Sequence, residues 1–105
     1  ALPMWIAPEQ VRILPISEEF HELAREIEKQ LRNFAPRVSV DLRNEKIGYK
    51  IREAQVNKIP YMIILGKKEA ESNMLSVRSR SKGDLGAMSK EEFIKLISKE
   101  ISEKI

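Results

Sequence analysis

Five consecutive apolar residues, Tyr61-Met62-Ile63-Ile64-Leu65, lie between Pro60 and Gly66 and constrain the fold more than any other stretch. The run has the length of a strand, and Gly66 ends it. A strand without polar alternation has no face to give to water, so it suits a sheet covered on both sides. The chain carries the helices such a cover needs. Ser17 can cap the first, with Glu18 and Glu19 at its positive end. Phe20, Leu23, Ala24, Ile27, Leu31 and Phe34 then recur at helical spacing, and Ala35-Pro36 breaks the helix. Ile47, Ile51 and Ala54 give a second helix its apolar face before Pro60. Ser89 and Glu92 form a capping box for the last helix, Met88 can staple to Phe93, and Phe93, Leu96, Ile97, Ile101 and Ile105 make its stripe.

Short extended segments fill the rest. Gln10–Ile16 alternates as a strand, with Pro15 placing it at an end or an edge. Arg37–Val40 is a second strand. Lys67–Ser72 and Leu75–Arg80 read as two more around Asn73, and Gly83–Gly86 as a turn. The order β-α-β-α-β-β-β-α predicts an α/β fold: a three-layer sandwich with a mixed, mostly parallel sheet of about five strands and three helices. At 105 residues, with no repeat and no linker, residues 1–105 are expected to form a single domain.

Composition removes several functions. Without cysteine there is neither a disulfide framework nor a thiolate metal site. No apolar run approaches the roughly 20 residues that span a bilayer. His21 is the one histidine and sits in a helix between acids, where it reads as a surface residue. The acid pairs Glu18/Glu19 and Glu91/Glu92 fall in first turns of helices, where the dipole accounts for them. There is no phosphate-binding glycine loop. No catalytic residue and no metal ligand is therefore expected. The net charge of +3 is unevenly spread. Residues 41–82 carry ten Lys or Arg against five acids, a balance of +5, which leaves −2 for the remainder. A basic middle suits a surface that meets a polyanion.

The stretch Asp41–Pro60, DLRNEKIGYKIREAQVNKIP, is more specific than an amphipathic helix requires. Its first twelve residues, followed by Lys58-Ile59-Pro60-Tyr61-Met62, Gly66-Lys67-Lys68-Glu69, Val77-Arg78-Ser79-Arg80 and Asp84-Leu85-Gly86, resemble the C-terminal anticodon-binding domain of threonyl-tRNA synthetases. Trp5-Ile6-Ala7-Pro8 with Gln10-Val11 resembles the family's entry into that domain. The resemblance covers essentially the whole chain. Prolyl-, histidyl- and glycyl-tRNA synthetases share the fold and the apolar pattern but not the block around Gly48.

What the resemblance implies is tRNA anticodon recognition, with threonine tRNA as the partner and the cytoplasm as the location. The parent enzyme would attach threonine to its tRNA, using ATP, magnesium and zinc in a catalytic domain absent from this chain. It would be a homodimer through that catalytic part. The present fragment would be non-catalytic, without cofactors of its own, and monomeric in isolation. An anticodon-binding-like domain of a related synthetase (prolyl, histidyl or glycyl), a free-standing protein-interaction module of the same fold and a small-ligand α/β domain are the competing readings. By the family's motif the anticodon-binding residues are Asn44, Lys58, Glu69 and Arg78, with Arg43, Lys46, Lys50, Arg52 and Arg80 as phosphate or backbone contacts. Lys58 stands where many members have arginine, so a two-pronged contact is not expected there. Guanine offers two N–H donors to a carboxylate and a carbonyl to an arginine, whereas uracil suits an amide. Glu69 and Arg78, on adjacent late strands, are thus expected to read guanine, and Asn44 and Lys58 the neighbouring uracil or its phosphate. The residues alone leave other roles open. Glu69 could pair with Lys67, Asn44 could cap a helix, Tyr49 could stack or pack in a core, and Gly48 could admit RNA or a packed strand.

Overall fold

A computed structural model of the chain describes residues 9–34, 37–43, 45–80 and 82–103, the last three of these by their backbone alone. The apolar run forms β3 (Tyr61–Leu65), the middle strand of a five-stranded sheet. On one side it pairs in parallel with β1 (Val11–Pro15), which pairs in parallel with β2 (Val38–Val40). On its other side β4 (Leu75–Ser79) runs antiparallel, and β5 (Gly83–Met88) returns antiparallel to β4. The order is therefore β2-β1-β3-β4-β5, mixed, with β4 alone reversed. Pro15 ends β1 beyond the last residue that pairs with β2.

Helices α1 (His21–Leu31) and α4 (Lys90–Glu103) cover one face. Ala24, Ile27, Leu31, Phe93 and Ile97 pack there on Val11, Ile13, Val38, Ile63, Leu65, Leu75 and Val77. Tyr61 meets Phe93 edge to face at 5.8 Å, a favoured aromatic geometry. Its hydroxyl also bonds Glu100, which ties α4 to β3. On the opposite face α2 (Ile47–Val56) lays Ala54, Ile47 and Ile51 over Leu14, Met62, Ile59 and Ile64. These are the three layers expected, and the unbroken apolar run of β3 follows from cover on both sides.

Three expectations are corrected. Lys67–Ser72 is a helix, α3, not a strand. Its sequence KKEAES consists almost wholly of good helix formers and has no β-branched residue. Asn73, left-handed at φ 59°, stops it. Gly83–Gly86 is not a free turn but the first part of β5. Gly86 has φ +78°, and the register slips here so that Leu85 has no partner. This bulge needs a residue free to take a left-handed conformation. It directs Leu85 onto the main core and sets Asp84 opposite Arg78. Phe34 lies beyond α1 and is 44% exposed, so it does not extend that helix's buried stripe. The side chain of Ile101, and Ile105, lie outside the described residues, as do Trp5 and its neighbours and the Ala35-Pro36 break.

Candidate nucleic-acid interface

One helix does not cover five strands. On the α2 face, α2 lies over β1 and β3 and leaves β4 and β5 open. Side chains alternate along a strand. Leu75, Val77 and Ser79 point into the molecule, so Ser76 and Arg78 point to the open side. Register adds their neighbours: Met62, Arg78 and Asp84 form one row, and Ile64, Ser76 and Ala87 the next. The second row gives a shallow floor of small or half-exposed side chains.

Glu69 sits at the end of this floor. It is the third residue of α3, and its Oε1 accepts a hydrogen bond from the Gly66 N–H at 2.8 Å. A methyl group placed on Gly66 would lie 2.9 Å from Ile16 Cδ1 and 3.2 Å from that same Oε1. Gly66 continues the alternation of Met62 and Ile64, so the carboxylate lies on the α2 face, as Arg78 does. Residues 69 and 78 are not on adjacent strands as expected. They flank one floor, offset by four residues along β3, or about 13 Å at the usual rise. Glu69 does not pair with Lys67; it caps its own helix.

Arg78 is half-buried and, among the described residues, makes no ion pair or hydrogen bond through its guanidinium. Most of the other arginines behave differently. Arg12 is held by Glu9 at 2.7 Å, Arg25 and Arg32 by Glu28 at 3.0 and 2.9 Å, and Arg43 by Asp41 and Glu53 at 2.7 and 2.6 Å. Arg52 and Arg80 share with Arg78 the lack of an acid partner. Lys46, Lys58, Lys67, Lys68 and Lys82 are exposed and likewise unpaired. Lys58 closes α2 in a left-handed conformation, φ 58°, at the end of β3 opposite Glu69. Arg80 lies near it, since its N–H donates to Pro60 O at 2.9 Å.

Two expected phosphate contacts are already engaged. Lys50 is only 2% exposed, and its Nζ donates to Pro15 O at 3.1 Å and Asp41 O at 3.2 Å. It satisfies carbonyls where β1 and β2 end and cannot reach a phosphate, so that expectation is corrected. Arg43 lies on the far flank of α2, between Asp41 and Glu53 and 5.6 Å from the Tyr49 ring centre. Its guanidinium is held protonated more firmly than usual by Asp41 first and Glu53 next. Tyr49 is 48% exposed and belongs to no core. These side chains border a shallow pocket of about 280 Å³ lined by Arg12, Ser39, Val40, Asp41, Leu42, Arg43 and Glu53. Asp41 is held below the usual carboxylate range, chiefly by its bonds from Arg43. Burial would raise Glu9, but the bonds from Arg12 and Ser39 outweigh it and leave the group lowered. The acids beside this pocket are saturated by arginine, so no free base is left there.

Asn44 lies outside the described residues; the N-cap position of α2 is Lys46. The floor residues Ile64, Ser76 and Ala87 were not anticipated. Nothing in their types marks them, since only strand register brings them together.

Comparison with known proteins agrees with this architecture. Residues 10–100 match a family model described as anticodon binding domain. A threonine–tRNA ligase of Caldanaerobacter subterraneus subsp. tengcongensis is 57% identical over 104 residues, covering 99% of this chain and 16% of the relative. One from Clostridioides difficile is 54% identical over 99 residues, again with 16% of the relative covered. Among solved structures, the RNA binding domain of threonyl-tRNA synthetase from Cryptosporidium parvum Iowa II superposes with TM-score 0.87 at 31% identity, over 94% of this chain and 25% of that one. Prolyl-tRNA synthetase of Cryptosporidium parvum gives 0.85 at 27% identity, over 98% and 22%. The chain thus spans about a sixth of the length of its curated relatives. With a fold, a family model and sequence identity that coincide over nearly its whole length, this chain belongs to the anticodon-binding domain family and is homologous to the C-terminal region of threonyl-tRNA synthetases.

Proposed function

We propose that this chain reads the anticodon of threonine tRNA on behalf of a cytoplasmic threonine–tRNA ligase. The observation that carries the reading is Arg78, a half-buried arginine without an ion pair among the described residues, on the same open sheet face as the Glu69 carboxylate. A guanine turned out of its loop presents a carbonyl to a guanidinium and two donors to a carboxylate. Ile64, Ser76 and Ala87, small or half-exposed side chains in one row, give its ring a floor to lie on. Lys58 and Asn44 serve the neighbouring uracil or its phosphate. Lys46, Arg52 and Arg80 meet the backbone, and the absence of acid partners at Arg52 and Arg80 leaves their charge available to phosphates.

The ATP, magnesium and zinc of such a ligase would be held by the remainder of the parent, a homodimer through its catalytic part. Among the described residues no group of three His, Cys, Asp or Glu side chains could hold a metal, and the chain has no cysteine. The fragment's share of the work is selection rather than chemistry.

The test is side-by-side binding of threonine, proline and histidine anticodon stem-loops at several salt concentrations. Threonine loops are expected to bind best, with log K falling against log salt at about 0.7 per phosphate contact. Equal affinity for all three loops would refute anticodon reading. Binding that ignores salt would point to a module that contacts protein or a small ligand.

A further inference from the structure

Gly48 occupies the second position of α2, where a side chain would ordinarily help. Its backbone is helical, so no left-handed conformation demands glycine. Nor does packing demand it: a methyl group placed on Gly48 would meet no described atom within 4 Å. A packed strand is thereby excluded as the reason. Glycine in a helix carries an entropic penalty, since its unfolded chain has the most freedom to lose. The fold itself would do better with alanine.

The position of Gly48 around α2 shows what the missing side chain would face. Lys50 and Ala54 are buried, which fixes the side of α2 that meets the sheet. Tyr49 and Glu53 fall on the flank toward β2, beside Arg43. At 100° per residue, Gly48, Ile51 and Gln55 fall on the other flank, above β3 and the open strands. Gly48 is the member of that wall nearest the start of α2. It therefore stands at the sheet end where β1 and β2 terminate and where Glu69 closes the floor. Unpaired Lys46 and Arg52 lie two residues before it and four after it.

We infer that Gly48 is a specificity-determining contact: its bare backbone lets the ribose-phosphate of the anticodon loop pass against α2, so that the base beyond reaches Glu69. The inference rests on the anticodon reading proposed above. It commits to an RNA strand because Lys46 and Arg52, close to it in the chain, make no ion pair among the described residues. A side chain at 48 lifts the strand away from the wall and draws the base off the carboxylate.

Stability and binding then move in opposite directions, which a purely structural role does not produce. Gly48→Ala is expected to raise Tm by about 2–6 °C while weakening threonine stem-loop binding about tenfold. Gly48→Leu should keep the gain in Tm and weaken binding further. Val56→Ala, at the far end of α2 and 73% exposed, is the control and should leave binding unchanged. The measurements are thermal unfolding and stem-loop titration of the 105-residue chain. If the unaltered chain selects the threonine loop and Gly48→Ala binds as well as it does, this inference fails while the anticodon reading stands. If the unaltered chain does not discriminate among loops, the anticodon reading fails and the contact at 48 falls with it.

Discussion

Glu69 holds two positions at once in the chemistry of this chain. It accepts the Gly66 N–H and so closes the first turn of α3, and its carboxylate ends the floor on which Arg78 stands. Substitution separates the two. In Glu69→Gln an amide oxygen can still accept from Gly66, so unfolding by urea should shift by less than about 0.5 kcal/mol. The amide places a donor where guanine also donates, and binding of a threonine stem-loop should weaken by about 1–3 kcal/mol. Glu69→Ala removes the cap as well and should cost about 1 kcal/mol of stability besides. A Gln variant that binds normally would remove residue 69 from base reading and leave it a cap. The family resemblance made this residue a candidate, but its place on a helix came only with the structure.

Among the elements, α2 shows how one helix can divide its faces. Its buried edge contains a lysine, Lys50, where periodicity alone offers an apolar stripe of Ile47, Ile51 and Ala54. Parallel strands of unequal length leave carbonyls without partners where the shorter one stops, and such groups are costly to bury unsatisfied. Lys50 answers two of them, on Pro15 and Asp41. Lys50→Met keeps the length and volume but removes the donor. It should destabilise the fold by about 2–4 kcal/mol, read as a lower urea midpoint at unchanged slope. An unchanged midpoint would mean that the two carbonyls find water instead. No sequence pattern announces a lysine of this kind, because a buried donor is needed only once two distant strand ends are side by side. The same holds for α3. Its residues favour a helix, its place between two strands favours a third strand, and the cap from Glu69 to Gly66 decides the matter.

For the molecule as a whole, ion pairs join elements that are separate in the chain. Glu9, Glu28 and Asp41 lie in ion pairs that tie β1 to β2, α1 to its own last turn, and β2 to α2. Burial opposes ionisation of Glu9 and Glu28, yet Arg12 with Ser39, and Arg32 with Arg25, leave both lowered; Asp41 is lowered chiefly by Arg43. A carboxyl group whose folded pKa lies below its unfolded value stabilises the fold above the unfolded value. That contribution is lost as the pH falls through the folded value. Stability should accordingly be level above about pH 5 and decline below about pH 4. Glu9→Gln should make the decline shallower, and an equally steep acid transition in that variant would show that Glu9 does not contribute. Among the described residues, the cations without an ion pair include most of those from Lys46 to Lys82, and also Lys29 and, on α4, Lys90, Lys95 and Lys99.

Much of this arrangement was already legible in the chain. An unbroken apolar run required a strand covered on both faces, helical spacing supplied the cover, and a basic middle segment marked the side that meets a polyanion. These are local properties: each depends on neighbours within a turn or a strand. Tertiary structure decided which basic residues stay free, since Arg43 reaches Glu53, and Lys50 reaches Pro15 and Asp41, only when β1, β2 and α2 converge. It also decided that Arg78 looks onto an open floor with the carboxylate of residue 69 at its end. Register between strands and the finite width of a single helix produce that opening, and neither is written in any one segment.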